Sequence, residues 1–324
     1  MKESDEFSIL EKYFKSLGNQ FYDSSGILIG PGDDAGLFSQ KKSDLIFSTD
    51  VSNAGIHFPK KLAPDSIAYR SCCVAASDIP ACGGELKWLS ISLVSPSNEL
   101  SWLKKFTQGL KSFAKDYQVP VIGGDLIKGK ECSVSVGVCG EVDRKDFLSR
   151  SGAKEGDLIF ISGTLGLAKL GLRVLKSNKK VLSNKEKKFR KKFLKPKIQT
   201  SLGIKLRKIA TSCIDISDGL VGDLGHICKQ SNLAASIDID SIPYEGAFED
   251  ALTWGDDYEL CFTVPKQKLK KLNVIANKLK LKLFKIGEMS KGSGVRTFRS
   301  DSEVFLKSHS YNPVSYTHLR AHET

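Results

Sequence analysis

The stretch IGPGDDAGLF, residues 29–38, decides how the rest of the chain is read. Two carboxylates, Asp33 and Asp34, follow a turn made of Gly30, Pro31 and Gly32, with an apolar run on each side. Adjacent carboxylates repel each other, and Asp is a poor strand former. Acids placed where a chain is about to enter a core need a compensating partner.

The arrangement recurs along the chain. Asp50 closes LIFSTD (45–50), Asp78 lies in AASDIPACGG (75–84), Asp125 closes VPVIGGD (119–125), and Asp215 and Asp218 lie in CIDISD (213–218). Separate elements thus each deliver a carboxylate to the edge of an apolar run, usually beside Gly or Ser. Singly, each is ordinary turn chemistry, and Asp218 taken alone reads as a helix cap. Jointly, acids that converge without partners would destabilise a fold. A hard divalent cation removes that cost, and a donor set made only of oxygen suits Mg²⁺ or Mn²⁺. Two such ions about 4 Å apart can clamp a transferring phosphoryl group. Gly123 and Gly124 before Asp125, and Gly163 and Gly166 around a helix start, fit the same chemistry, because such turns let backbone N–H groups approach phosphate oxygens. The P-loop pattern and the H-R-D and D-F-G signatures are absent, so any phosphate chemistry uses another scaffold.

Composition narrows the class. The chain has 324 residues, enough for two domains, with 40% hydrophobic and 27% charged residues as in ordinary soluble proteins. No run of about 18 apolar residues marks a membrane span. The opening MKESDE lacks a signal-peptide pattern, which sets the expectation of a cytoplasmic protein. Eight scattered cysteines without a C-x-x-C pair read as free thiols in a reducing compartment. The net charge of +12 concentrates in residues 176–197, where Glu186 is the only acid. A nucleic-acid surface would interleave aromatic platforms with the lysines, and only Phe189 and Phe193 are available, so a solvated helix face is the preferred reading.

Periodicity supplies the elements. Residues 7–17 space apolar side chains at helical intervals, 45–48 form a short strand, and 63–82 form a helix of small residues that can pack closely on a sheet. Residues 88–94 alternate as a strand, 103–117 read as an amphipathic helix, and 120–122 read as a buried strand that ends in Gly123-Gly124-Asp125. Val134, Val136 and Val138 share one face of a strand over 132–142. After a boundary near residues 143–150, GDLIFISGTLG (156–166) reads as strand, glycine turn and helix start. SCIDISDGL (212–220) reads as strand and helix start, and YELCFTVP (258–265) as a strand followed by a Lys-rich helix over 266–279. The expectation is two α/β domains. VSYTHLRAHET (314–324) has no apolar periodicity and is read as part of a disordered or non-native tail.

With these residues assembled, the chain resembles the thiamine-monophosphate kinase family, within the superfamily that includes aminoimidazole ribonucleotide synthetase. The carrying motifs are GPGDDAGLF, STDVSNAGIHF, AASDIPACGG, VIGGD, SRSGAKEGD, IDISDGLVGDLGHI and WGDDYELCFTVP, in the family's order from about residue 7 to about residue 311. The resemblance implies ATP-dependent phosphorylation of thiamine monophosphate to thiamine diphosphate. It implies a two-domain α/β fold of the α+β type: a domain over 1–145 whose mixed sheet forms a barrel across a homodimer, an α/β domain over 146–312, and the tail over 313–324. It implies magnesium at Asp34, Ser48, Thr49, Asp50, Asp78, Asp125, Asp215 and Asp218, and ATP contacts at Gly124, Asp125, Arg150 and Ser217. His57 and Asp256 match positions that contact the thiamine substrate. No residue acts as a general base, no membrane is involved, and nucleic acid is not an expected partner. Three departures stand out. Leu126-Ile127-Lys128 replaces the family's usual Thr-Thr-Arg, Asp256 stands where Glu or Asn is common, and the closing aromatic-rich segment is replaced after Asn312. On this reading, neutralising lysines within 185–192 leaves activity nearly intact.

Overall fold

A computed structural model describes residues 16–29, 37–38, 43–97, 99–177, 179–300 and 302–306. Asp33 and Asp34, most of the helical pattern at 7–17, and residues 313–324 lie outside them. The chain divides into two compact units. One extends to Phe147 and takes in Leu194–Ile204; the other comprises Leu148–Phe193 and resumes at Lys205.

The first unit is built on a four-stranded mixed sheet in the order β3-β6-β4-β5, where β3 is Asp44–Asn53, β4 is Glu85–Ser95, β5 is Val121–Lys128 and β6 is Ser133–Val142. A short antiparallel pair, β1 (Ile27–Ile29) with β2 (Leu37–Phe38), precedes it in the chain. β6 pairs antiparallel with both β3 and β4, whereas β4 and β5 run parallel. Parallel neighbours need a crossover, and the helix Leu100–Tyr117 supplies it. One sheet face is covered: Val134, Val136 and Val138 are fully buried among Leu89, Ile91 and Leu93 and the side chains of the helices Pro64–Ala76 and Leu100–Tyr117. The helix of small residues is therefore real, but it breaks at Ser77 into a separate turn of helix, Asp78–Ala81.

On the opposite face no described element covers the sheet. β3 alternates strictly, so that Ile46, Ser48, Asp50 and Ser52 point to the helices while Leu45, Phe47, Thr49 and Val51 point away. Phe47 is 64% exposed, Ile127 of β5 is 53% exposed and Val51 is 48% exposed. A sheet with one face buried and one face uncovered normally alternates apolar with polar; here the uncovered face is itself partly apolar.

The second unit carries a seven-stranded sheet in the order β13-β12-β9-β11-β7-β10-β8. Its strands are β7 (Leu158–Ile161), β8 (Ser212–Asp215), β9 (Ala234–Asp238), β10 (Leu260–Val264), β11 (Phe284–Ser290), β12 (Gly294–Arg299) and β13 (Ser302–Glu303). The β9/β12 pair is parallel and every other pair antiparallel. Leu220, Leu224 and Ile227 of the helix Leu220–Ser231 fill the core against Ile159, Ile161, Ile214 and Ile237. The two-domain α/β organisation with mixed sheets is as the sequence implied. All eight cysteines are free thiols, and among the described residues no helix is long and apolar enough to cross a membrane.

Two strands are longer than their sequence pattern. β3 continues past Asp50 to Asn53, and β5 continues past Gly123-Gly124-Asp125 to Lys128. Both acids lie inside strands rather than ending them. The ladder carries polar residues onward because β6 pairs with β3 over ten residues without a bulge.

The helices Pro64–Ala76 and Leu100–Tyr117 approach so closely that a Cβ at Gly109 would stand 2.1 Å from the carbonyl oxygen of Asp65 and 2.8 Å from Ala68 Cβ. Alanine improves helix propensity by about 1 kcal/mol, but the obstacle here is backbone, which cannot rotate aside. Gly109→Ala is expected to destabilise the protein by a net ~1–3 kcal/mol, read as a lower urea midpoint with an unchanged slope.

Candidate functional site

In the first unit, strand alternation sorts the acids. Ser48 and Asp50 lie on the helix-facing side of β3. Asp78, at the break after the helix Pro64–Ala76, reaches the same side, where Ser48 Oγ donates to Asp78 Oδ2 at 2.5 Å. Thr49 points to the open face, so its carbonyl, not its hydroxyl, is what it can offer the group formed by Ser48, Asp50 and Asp78. Asp125 also lies on the open face: Leu126 beside it packs into the core, while Asp125 and Ile127 are exposed. In the ladder Asp125 stands level with Ser92, Ser135 and Val51. Three strand spacings separate β5 from β3, roughly 14 Å. Asp125 therefore does not join the Ser48–Asp50–Asp78 group within the unit. Its Oδ1 accepts the N–H of Leu126 at 2.9 Å.

Gly124 has a physical reason to be glycine. Its φ is +155°, and a Cβ there would lie 1.8 Å from the carbonyl oxygen of Ile91. Gly123 faces open space. The GGD turn of the sequence is thus a stretch of edge strand with bare backbone at one residue and close strand contact at the next.

His57 follows β3 in a loop held by two bonds to Asn53. The N–H of His57 donates to the Asn53 carbonyl at 2.9 Å, and His57 Nδ1 accepts the N–H of Asn53 at 2.9 Å. An accepting Nδ1 places the proton of the neutral ring on Nε2. In the neutral ring Nε2 is therefore the donor.

In the second unit, β8 ends on Asp215, which is 4% exposed, and the chain turns through Ser217, Asp218 and Gly219 into the helix Leu220–Ser231. Gly219 takes φ +111° with no room for a Cβ against the backbone of Thr253. Asp218 does not cap this helix. Asp223 organises the turn instead: its Oδ2 accepts the N–H groups of Ser217 at 3.0 Å and of Asp218 at 3.1 Å. Burial, then the charges of Asp215 and Asp218, push the Asp223 carboxyl well above its ordinary range, against the pull of the two N–H groups. Burial also raises Asp218, offset by the charges of His226 and Arg150. Arg150 is anchored through its carbonyl, which accepts from Ser231 Oγ at 3.0 Å.

Asp256 belongs to the same neighbourhood, since its N–H donates to the Ser217 carbonyl at 2.8 Å. It sits in a left-handed bend in which Gly255, Asp256 and Tyr258 have φ of 79°, 65° and 50°. Its neighbour Asp257 is fully buried and accepts the N–H groups of Gly166 at 2.7 Å and Ala168 at 3.4 Å. Burial pushes the Asp257 carboxyl up to about 7, opposed first by the Gly166 N–H and then by the charge of Lys192.

Of the residues named from sequence, the structure brings together Ser48, Asp50 and Asp78 in one unit, and Arg150, Asp215, Ser217, Asp218 and Asp256 in the other. Asp34 lies outside the described residues. The sequence pattern does not single out Asp223, which stands five residues beyond Asp218 in SDGLVGD. Among the described residues, no three His, Cys, Asp or Glu side chains close around a point that could hold an ion unaided. The donor sets still fit magnesium, which is commonly held by one or two carboxylates together with water and substrate phosphates. The donors here are oxygens only, and Asp215 and Asp218 bring like charges to one turn, which a cation would neutralise.

The basic segment is mostly the helix Asn184–Leu194. Phe189 and Phe193 are buried, 8% and 2% exposed, so neither can stack a base. Lys179 and Lys185 pair with Glu186 and Glu245 at the surface. Lys192 differs: its side chain is 12% exposed and reaches Glu259 at 2.5 Å. The expectation that lysines across 185–192 are alike in facing solvent fails at this position, because helical periodicity turns Lys192 inward with Phe193.

The chain matches the AIR synthase related protein family over both halves, the N-terminal domain at residues 32–142 and the C-terminal domain at 154–299. It is 37% identical to a thiamine-monophosphate kinase of Buchnera aphidicola subsp. Schizaphis graminum, with 96% of this chain and 99% of that protein covered. The crystal structure of thiamine-monophosphate kinase from Stenotrophomonas maltophilia K279a superposes with a TM-score of 0.81 at 32% identity, covering 90% of this chain and 98% of the other. A structure of AaThiL complexed with AMPPCP and TMP superposes with a TM-score of 0.75 at 29% identity, covering 96% and 97%.

The two roles of Asp223, holding amides and adding charge, can be separated. In Asp223→Asn a single oxygen can still accept both N–H groups while the like-charge repulsion disappears. The expected melting temperature in metal-free buffer is unchanged or a few degrees higher (~1 kcal/mol shifts a domain of this size by ~2–4 °C). Asp223→Ala strands both amides, and its melting temperature falls.

Proposed function

The chain belongs to the thiamine-monophosphate kinase family, and from that premise we propose that it transfers the γ-phosphoryl group of ATP directly to thiamine monophosphate, giving thiamine diphosphate and ADP. The observation that supports the reading is an oxygen-only acid group in each unit, Ser48, Asp50 and Asp78 in the first and Asp215 and Asp218 before a helix start in the second, in a sequence that has no P-loop.

The acceptor is a phosphate monoester whose second pKa is about 6. It is largely dianionic near pH 7 and needs no general base to become a nucleophile. The obstacle is repulsion between two anions. Catalysis then consists of positioning and charge neutralisation, as expected for phosphoryl transfer. Magnesium, when bound, would supply positive charge to the phosphates. In the first unit its proposed holders are Asp34, the side chains of Ser48, Asp50 and Asp78 and the Thr49 carbonyl, with Asp125, on the other face of the sheet, proposed as a holder apart from that group; in the second they are Asp215 and Asp218. Gly124 is proposed as a backbone contact of the nucleotide, beside the open space at Gly123, and Asp125 follows it as a second contact. Arg150, whose guanidinium lies near enough to Asp218 to act on its charge, is proposed for the ATP phosphates, with Ser217 as a second nucleotide contact. His57 offers the substrate its Nε2 proton, and Asp256 contacts the thiamine. Transfer is in line, without a phosphoenzyme.

We also propose that the open face of the first unit's sheet is covered by a second copy of the chain, so that two sheets close into a barrel. Leu45, Phe47, Val51 and Ile127 support this, because exposed apolar side chains grouped on one face mark an interaction surface.

The decisive measurement is ADP release with thiamine monophosphate as acceptor, run beside thiamine. Activity with thiamine monophosphate alone is expected. Asp50→Asn is expected to lower it about 100-fold or more, beyond the ~10–100-fold typical of residues one shell further from a metal; wild-type rates in that variant would overturn the assignment.

The dimer is tested separately. Phe47→Asp is expected to shift the sedimentation coefficient from that of a dimer to that of a monomer.

A further inference from the structure

The bend at residues 255–258 is costly backbone. Left-handed conformation brings Cβ close to the carbonyl oxygen in L-residues, and here it is taken by Asp256 and by the bulky Tyr258. Something must hold it. Backbone ties fix one side: the N–H of Asp256 to the Ser217 carbonyl, the N–H of Tyr258 to the Ile216 carbonyl at 2.9 Å, and the N–H of Ile216 back to the Glu259 carbonyl at 2.8 Å. The other side is fixed by two buried acids that the reaction itself does not use.

Those acids alternate with the bend. Asp257 binds the amides of Gly166 and Ala168, at the start of the helix Leu167–Lys176. Glu259, 6% exposed, accepts from Ser162 Oγ at 2.6 Å on one oxygen and from Lys192 Nζ at 2.5 Å on the other. Ser162 Oγ in turn accepts the N–H of Leu260 at 2.9 Å. The turn after β7 is shaped to these carboxylates: a Cβ at Gly163 would lie 2.5 Å from the Glu259 carboxyl carbon. Each charge is met by a named donor, which is what burial of a carboxylate requires.

We propose that Asp257, Glu259 and Lys192 are positioning residues: anchored to the turn after β7 and to the basic helix, they hold the bend that sets where Asp256 meets the thiamine end of the acceptor. This rests on the reading that Asp256 contacts thiamine. It gives one lysine of the basic segment a task distinct from those of its exposed neighbours, and it assigns the two acids of Gly255-Asp256-Asp257 different work, the first toward substrate and the second toward scaffold.

The test is a double-mutant cycle on full-length protein, with kcat and KM for thiamine monophosphate and for ATP measured separately. Asp256→Ala is expected to raise the acceptor KM about tenfold with the ATP KM within twofold. Asp257→Asn and Glu259→Gln are each expected to raise the acceptor KM severalfold, again sparing ATP. In the Asp256→Ala background the same changes should add nothing, because residues acting through one another are not additive. An acceptor KM unchanged in Asp256→Ala overturns the underlying reading of Asp256. A raised KM in Asp256→Ala with unchanged acceptor KM in Asp257→Asn and Glu259→Gln, or full additivity in the double variants, overturns the positioning proposal alone. Should Asp257→Asn fail to fold, Glu259→Gln, which keeps an oxygen for Ser162, and Lys192→Met with Glu259→Gln, which removes both charges together, carry the same comparison. A melting temperature that falls with both KM values moving in parallel marks a purely structural role and also overturns it.

Discussion

A carboxylate taken out of water must find donors, and the second unit satisfies that requirement chiefly with its own backbone. Asp223 gathers the amides of Ser217 and Asp218, and Asp257 those of Gly166 and Ala168. Glu259 joins Ser162 and Lys192. These bonds fall where β7 ends, β8 ends and β10 begins, which the antiparallel pairing of β10 with both neighbours puts at one end of the three strands. The loops at that end have little regular structure, and their shape comes from the acids beneath them. Removing one acid frees two donors at once, so the stability of each loop is tied to a single side chain.

The same constraint reads differently in the first unit, where the acids sit on strands. Strand geometry sends successive side chains to opposite faces, and the Ser48-Thr49-Asp50 triplet is divided by it. Ser48 and Asp50 share the covered face with Asp78, whereas Thr49 and Asp125 share the open one. Three consecutive residues cannot all direct side chains at one ion from an extended strand; the middle one contributes through its carbonyl or not at all. The partly apolar character of the open face has a matching consequence. A partner surface laid on Phe47, Val51 and Ile127 would also lie against Asp125, coupling burial of that acid to assembly.

Much of this was legible from residues alone. Val134, Val136 and Val138 announced their strand by period, and the acid motifs in order identified the family and its two α/β domains. What failed has physical causes. The sequence pattern places Asp50 and Asp125 at strand ends because acids are rare inside strands, yet an edge or open-faced strand carries them without loss when its backbone stays paired. Asp218 has the residue type of a helix cap, yet no side chain caps this helix; a side chain one turn in, Asp223, reaches back instead to the amides of Ser217 and Asp218 before the helix. β9 and β12 escaped notice because AASID and GVRTFR are short and show little alternation. Lys192 was hidden by its neighbours: in a run of lysines, charge gives no phase, and only Phe189 and Phe193 reveal which side of the helix faces inward.

The acid pair Asp256-Asp257 is divided between two environments. Asp256 is partly exposed and Asp257 is not exposed at all, although they are adjacent. Two carboxylates on neighbouring residues repel less when the backbone turns them apart and one is neutralised by amides, and burial that lifts Asp257 to about 7 further lowers the charge it carries near neutrality. The doublet is thus tolerated because its members do not share an environment. In this Gly-Asp-Asp the bend turns one acid in and one acid out, and the inward acid is fixed by two amides, those of Gly166 and Ala168, from a turn some ninety residues earlier in the chain.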